Sequence, residues 1–236
     1  MNANSQSKST SPQAYQNHRQ NFYGRDFYVD ENVLIPRPES EQIIDAVKSL
    51  SGLPYLPGVK PEPPQLPPHP IILDVGTGSG CLAITLALEL TDAKIYATDI
   101  SKPALKIAQK NAHKLGAPIT LIISHLLEKV KDSIIPFPDL IVANLPYVDQ
   151  DWPWLDKTAL SYEPSLALYA KDHGLALIKE LIDESSALRI PYLVLEADPS
   201  QHQAIINCAS AHHYIHVTTH GFILTLRIDD ITAKKI

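Results

Sequence analysis

The sequence predicts an α/β fold, in which one mostly parallel sheet is flanked by helices and closed by a terminal antiparallel hairpin. Three observations predict it. Apolar runs of strand length alternate with segments of helical periodicity from residue 71 onward. The first run, Ile71-Ile72-Leu73-Asp74-Val75, enters a glycine-rich turn and then a helix. The last two runs are linked only by His220-Gly221, too short a connection for parallel strands.

Bulk properties narrow the function. At 236 residues the chain suits one domain with a sizeable core, or one domain with appendages. A net charge of −6 and a pI near 5.9 argue against tracking a nucleic-acid backbone. Cys81 and Cys208 stand far apart without metal-ligand spacing and read as reduced thiols, so no metal site is expected. No apolar run reaches membrane-spanning length, and the start, Met1-Asn2-Ala3-Asn4, lacks a signal-peptide core. The expectation is a soluble, cytoplasmic protein.

Four segments follow in order. Residues 1–20 are polar and aperiodic, and read as a mobile tail. Residues 21–53 read as a small hairpin or flap around Phe22 to Val29, followed by a helix. Pro36 and Pro38 hold the backbone extended around Arg37, and the helix starts near Glu39 with Ile43, Ile44, Val47 and Leu50 on one face. An arginine framed by prolines points to a pairing role, structural or in an active site. Residues 54–70 hold eight prolines and read as a stiff linker. Residues 71–236 form the main domain.

Within that domain the turn Gly76-Thr77-Gly78-Ser79-Gly80 lets the backbone bend tightly and approach a ligand, and the helix after it favours an anion. Because Asp74 precedes the turn, the pattern suits a ligand with a cationic amino group better than a pyrophosphate. A second strand ends at Asp99, about twenty residues on, where a carboxylate accepts hydrogen bonds from both ribose hydroxyls. A helix from Pro103 closes at Gly116, and a third strand over 119–123 leads to Ser124-His125-Leu126, where an adenine ring would rest.

The fourth strand, Leu140-Ile141-Val142-Ala143, delivers Asn144-Leu145-Pro146-Tyr147 to the carboxyl edge of the sheet. Asn144 offers an amide and Tyr147 a flat face, a pairing suited to a planar group that carries NH2, such as a carboxamide or an adenine. The loop that follows, with Trp152, Trp154 and Tyr162-Glu163-Pro164, reads as a lid or a hydrophobic cap. A helix over 173–188, a fifth strand over 192–196 and a helix over 200–211 precede the hairpin. His212, His213 and His216 read as solvent-exposed imidazoles without carboxylate or thiol neighbours.

Phe22-x-Gly24-x-x-Phe27-x-Val29, the run from Val33 to Glu41, Asp74 to Gly80, Asp99, Asn144 to Tyr147 and Glu163-Pro164 occur in an order that resembles the bacterial release factor glutamine methyltransferases, the HemK or PrmC family. The run Ile35-Pro36-Arg37-Pro38-Glu39-Ser40-Glu41 is the most specific sign. The resemblance implies a class I, Rossmann-like methyltransferase sheet and S-adenosyl-L-methionine as cofactor, with S-adenosyl-L-homocysteine as product. It implies methyl transfer to the side-chain amide nitrogen of the glutamine in the Gly-Gly-Gln loop of a peptide chain release factor. It assigns Asp74, Gly76, Thr77, Gly78, Ser79, Gly80, Asp99, His125, Leu126 and Asn144 to the cofactor. It assigns Asn144, Leu145, Pro146, Tyr147, Arg37 and Glu163 to the substrate, with Asn144 and Tyr147 catalytic. The chain departs from the family at Leu145, where a proline is usual, and at His125-Leu126, where an aspartate and a large residue are common. The family's N-terminal helical domain is expected to lack a counterpart, with a short polar tail in its place. An rRNA adenine methyltransferase, a ribosomal-protein glutamine methyltransferase and a non-catalytic cofactor-binding module are the competing readings.

Overall fold

The computed structural model describes residues 11–53 and 65–229. The first ten residues of the expected tail and most of the proline-rich linker lie outside the described residues.

From Ser11 onward the expected mobile tail is corrected. Helix α1 (Gln13–Gln16) carries Tyr15, which is buried and donates its hydroxyl to the Val33 carbonyl at 2.6 Å. One aromatic side chain with a buried partner is enough to pin an otherwise polar segment. Strands β1 (Gln20–Phe22) and β2 (Arg25–Phe27) form the expected antiparallel hairpin. Its turn, Tyr23-Gly24, has positive φ at both residues, the geometry that follows strand twist. A 3-10 turn over Pro38–Ser40 leads into α2 (Glu41–Leu50), whose Ile43, Ile44, Val47 and Leu50 are all buried.

The main sheet begins with β3 (Ile71–Val75), followed by α3 (Cys81–Glu89), β4 (Lys94–Asp99), α4 (Lys102–Leu115) and β5 (Ile119–Ile123). Helix α4 is bounded as its sequence dictates: Ser101 Oγ accepts from the Ala104 amide, and Gly116 closes it in the left-handed region. The short helix α5 (Glu128–Lys131) precedes β6 (Leu140–Ala143), and the short helices α6 (Lys157–Leu160) and α7 (Ser165–Leu168) follow it. Then come α8 (Ala176–Ala187), β7 (Tyr192–Glu196), α9 (His202–Ala211), β8 (Tyr214–His220) and β9 (Ile223–Ile228).

Seven strands form one sheet in the order β5-β4-β3-β6-β7-β9-β8. Strands β3 to β7 are parallel, and β9 runs antiparallel to both β7 and β8. The chain builds outward from β3 through β4 to β5, then returns to place β6 on the other side of β3. That reversal opens a crevice at the carboxyl ends of β3 and β6, where open α/β sheets bind ligands.

Both faces of the sheet are covered. Leu73, Val75, Ile141, Ala143, Leu193 and Leu195 belong to one core, and Ile72, Leu140, Val142, Tyr192 and Val194 to the other, the alternation a strand buried on two sides requires. The second core also contains Phe22, Phe27, Ile43, Ile44 and Val47. The expected division between a flap-and-helix segment and the main domain is therefore not a division of the core. The hairpin and α2 bury their apolar side chains directly against α3 and the sheet.

Candidate active site

A cavity of about 210 Å³ opens at this crevice. It is lined by Gly76 to Ser79 after β3, by Asp99 at the end of β4, by Ser124 to Leu126 after β5, and by Asn144 to Pro146 after β6. Arg37 closes it from the N-terminal segment, and Leu166 and Ala167 from the segment after α6. The sheet thus brings together four turns that are distant in sequence.

The glycine turn is held by its own neighbourhood. Gly76, Gly78 and Gly80 have φ of 77°, 55° and 83°. The Gly76 and Thr77 amides both donate to the Thr98 carbonyl at 2.9 Å. The Asp99 carboxylate accepts from the Gly78 amide at 2.9 Å and the Ser101 amide at 2.8 Å, tying the turn to the end of β4. Burial raises the Asp99 carboxyl above its usual range, against the pull of those amides.

Asp74 is placed differently from the expectation. It is fully buried and does not line the cavity. Its Oδ2 accepts from the Thr77 hydroxyl at 2.6 Å and the Ala83 amide at 3.2 Å, so it shapes the turn and anchors the start of α3. Burial pushes its carboxyl up to about 7. Its Oδ1 is buried without a hydrogen-bond partner. Gly80 is also off the cavity. Its missing side chain leaves room for Ile84 and Ala108, which a Cβ would meet at 2.9 and 3.1 Å.

The Asn144 corner is held from afar. Asn144 Nδ2 donates to Ser40 Oγ at 2.9 Å, across 104 positions of sequence. Leu145 is buried and packs over the glycine turn, such that a Cβ on Gly76 would lie 3.0 Å from its Cδ2. Tyr147 is the residue expected to offer its face to a ligand. It is absent from the cavity lining, and its hydroxyl donates to Glu196 Oε1 at 3.1 Å. Burial and the neighbouring carboxylate hold its phenol far above the usual range. Gln201 Nε2 donates to the Tyr147 and His173 carbonyls, each at 2.8 Å. Gly174 passes so close that a Cβ there would lie 1.9 Å from the Tyr147 carbonyl oxygen.

Arg37 and Glu163 pair with each other. Arg37 Nη2 lies 2.5 Å from Glu163 Oε1, and Glu163 Oε2 accepts from the Ile35 amide at 3.1 Å. Only Arg37 of the two lines the cavity, so Glu163 acts on the site through the segment it braces. His125 lines the cavity, half-exposed, with Nδ1 3.8 Å from Glu180. Leu126 is buried with φ of 37°, and Ser124 Oγ donates to the His125 and Leu126 carbonyls to brace that conformation. Cys81 also lines the cavity, and burial pushes its thiol up to about 12, far from a thiolate at neutral pH. Of the residues named for the expected lid, Pro164 lines the cavity, while Trp152 and Trp154 stack on each other at 5.5 Å. Away from the site, His212 does have a carboxylate and a thiol beside it: its Nε2 lies 3.2 Å from Asp183 and its Nδ1 3.8 Å from Cys208. Packing of α8 against α9 brings Asp183 there, whereas Cys208 precedes His212 by four positions, one helical turn, at the end of α9.

Sequence reasoning missed Ser40, Glu196 and Gln201 as site residues. For Glu196 a signal existed, since it ends a buried strand in an acid just as Asp99 does. Ser40 lies inside the Ile35–Glu41 run that carries the resemblance, and for Gln201 no signal was visible.

Comparison with known proteins extends these observations. Residues 63–146 match the family model of ribosomal protein L11 methyltransferase, PrmA. The release factor glutamine methyltransferase of Enterococcus faecalis is 37% identical over 168 residues, which span 71% of this chain and 54% of that protein. That of Koribacter versatilis is 40% identical over 174 residues, 72% of this chain and 56% of that protein. Among solved structures, the Thermus thermophilus 16S rRNA N2 G1207 methyltransferase RsmC, in complex with AdoMet and guanosine, superposes with a TM-score of 0.59 at 14% identity, covering 89% of this chain and 49% of that one. The sheet order, the glycine turn and these neighbours define a class I methyltransferase fold. Within that class the chain is similar in sequence to proteins named release factor glutamine methyltransferases, at 37–41% identity over 68–72% of its length. It spans about half the length of the curated relatives it matches. Among the described residues no helix is long and apolar enough to cross a membrane.

Proposed function

We propose that this chain transfers a methyl group from S-adenosyl-L-methionine to the side-chain amide nitrogen of the glutamine in the Gly-Gly-Gln loop of a peptide chain release factor, acting in the cytoplasm. The observation that carries the reading is that Asn144 and the glycine turn, with Asp99, line one cavity, so a carboxamide ligand and a nucleoside cofactor would meet there.

The residues present fit the cofactor. Gly76 to Ser79 form a cradle whose glycine conformations disfavour side chains. Each Asp99 oxygen spends one lone pair on a backbone amide and keeps another for a ribose hydroxyl. His125 and Leu126 would border the adenine. Asp74 and Gly80 are proposed to shape the cradle from behind.

When bound, the cofactor supplies an electrophilic methyl group carried on a sulfonium. The chain's own residues must orient a poor nucleophile, because the amide lone pair is delocalised. Asn144 Oδ1 and the Leu145 carbonyl are proposed to accept the two N–H bonds of the substrate amide. That would aim the nitrogen at the methyl and favour the charge that develops on it. Pro146 stiffens the corner, and Tyr147 anchors it to Glu196. Arg37 would face the substrate, with Glu163 holding it in place. No base is needed before transfer, since the methylated amide loses its extra proton afterwards.

Mass spectrometry of the Gly-Gly-Gln peptide, after incubation of release factor with enzyme and cofactor, tests the proposal. A gain of one methyl group on the glutamine is expected. Label that appears only on rRNA or on a ribosomal protein would refute it.

A further inference from the structure

Resting on the amide-methylation reading, we propose that Ser40 and Glu196 are positioning residues that fix which way round the Asn144 side-chain amide faces. A carboxamide has a donating and an accepting end of nearly equal shape, and only its environment selects between them. An Asn144 that presented NH2 to the cavity would oppose a substrate NH2, while one that presents Oδ1 would accept from it. The choice decides whether the corner can hold the substrate at all.

The selection is made behind the corner. Ser40 lies in the turn just before α2 and is 2% exposed. Its Oγ receives Asn144 Nδ2 at 2.9 Å. Beside Ser40 lies the Glu196 carboxylate, itself 1% exposed, whose Oε1 accepts from the Tyr147 hydroxyl at 3.1 Å. Glu196 Oε2 is buried without a hydrogen-bond partner. Burial raises the Glu196 carboxyl above its usual range, while the Ser40 and Tyr147 hydroxyls favour its ionised form, which only accepts and so would draw both their hydrogens toward it. The Ser40 lone pairs then remain for the Asn144 NH2, and Oδ1 is left on the cavity side. Glu196 ends β7, the strand paired with β6, which carries the corner. One buried acceptor therefore orders both ends of the corner, Asn144 through Ser40 and Tyr147 directly.

Three variants of the full chain test this by two independent readouts. The first is hydrogen-exchange protection of the Asn144 side-chain NH2, followed by NMR and assigned by its loss in Asn144→Ala. The second is kinetics on the release factor, alongside calorimetry with S-adenosyl-L-methionine. Ser40→Ala should strip the protection and lower kcat about ten- to a hundredfold, as expected for a misplaced reacting group. Cofactor affinity should change less than about twofold, since the cradle residues are untouched. Ser40→Thr, which keeps the hydroxyl, should restore protection and most of the rate. Glu196→Gln keeps the shape but adds a donor, and should reproduce the loss. If Glu196→Gln fails to fold, the Ser40→Ala and Ser40→Thr pair decides alone. Unchanged Asn144 protection and kcat in Ser40→Ala would overturn the assignment. Protection that depends on Ser40 in an enzyme inert toward every release factor would uphold the positioning and refute the substrate reading instead.

Discussion

The two halves of the cavity are built in opposite ways. The glycine turn is a local construction, in which Asp74 reaches Thr77 three positions away and Ala83 nine positions away, and Asp99 reaches Gly78 across 21. The Asn144 corner has long-range braces, with Ser40 at 104 positions, Gln201 at 54 and Glu196 at 49. A turn closed by short loops carries a small ordering cost and is set once its strand and helix form. A corner held from three other elements is correct only after the whole sheet has assembled. The cofactor half should therefore tolerate changes elsewhere in the molecule, and the substrate half should not.

That contrast can be broken or sharpened. The largest expected effect is Asn144→Ala, which removes the polar group at the cavity and should lower turnover on the order of a hundredfold or more. Cofactor binding, measured by calorimetry, should survive, because the cradle is tied to β4 and not to Asn144. Near-normal turnover would remove Asn144 from the chemistry. Next is Gly174→Ala. Its φ of 83° and the 1.9 Å approach to the Tyr147 carbonyl mean that the corner must shift. A loss of roughly 2–4 kcal/mol in unfolding free energy is expected from that combination of strain and overlap. A denaturant titration of wild type and variant measures it, and an unchanged midpoint would show the corner free to move.

The smallest expected effect, read per pH unit, is on pH dependence. The folded-state Asp74 carboxyl lies at about 7 against an ordinary 3.8. The native state thus binds this proton more tightly than the unfolded chain, and stability falls as pH rises from about 4 to about 7. Asp74→Asn should flatten that part of the profile by at most about 1.4 kcal/mol per pH unit. Denaturant midpoints across that range give the comparison. A slope unaltered by the substitution would mean that Asp74 stays ionised on the local hydrogen bonds alone.

The sequence reading held where residues interact with near neighbours. The strand into glycine turn, the acid at the end of β4, the Ser101 cap, the Gly116 stop and the closing hairpin all arise from local periodicity and turn chemistry. It is silent where a side chain has two directions open to it. Tyr147 was free to face a ligand or the interior, and a buried Glu196 drew it inward. Asp74 was free to face the cavity or the helix start, and two donors behind the turn drew it there. The hairpin at Phe22 and Phe27 reads as a separate flap, because nothing in its own residues reveals the core it shares with α2, α3 and the sheet.

Taken alone, the order of residues determined the α/β alternation, the cradle and the position of the Asn144 corner at the sheet edge, since each follows from spacing along one stretch of chain. Which end of the Asn144 amide meets the cavity, and what Tyr147 holds, were decided only by the packing of α2 and β7 against β6. Hydrogen-bond direction is a property of the partners, and these partners are neighbours in space alone.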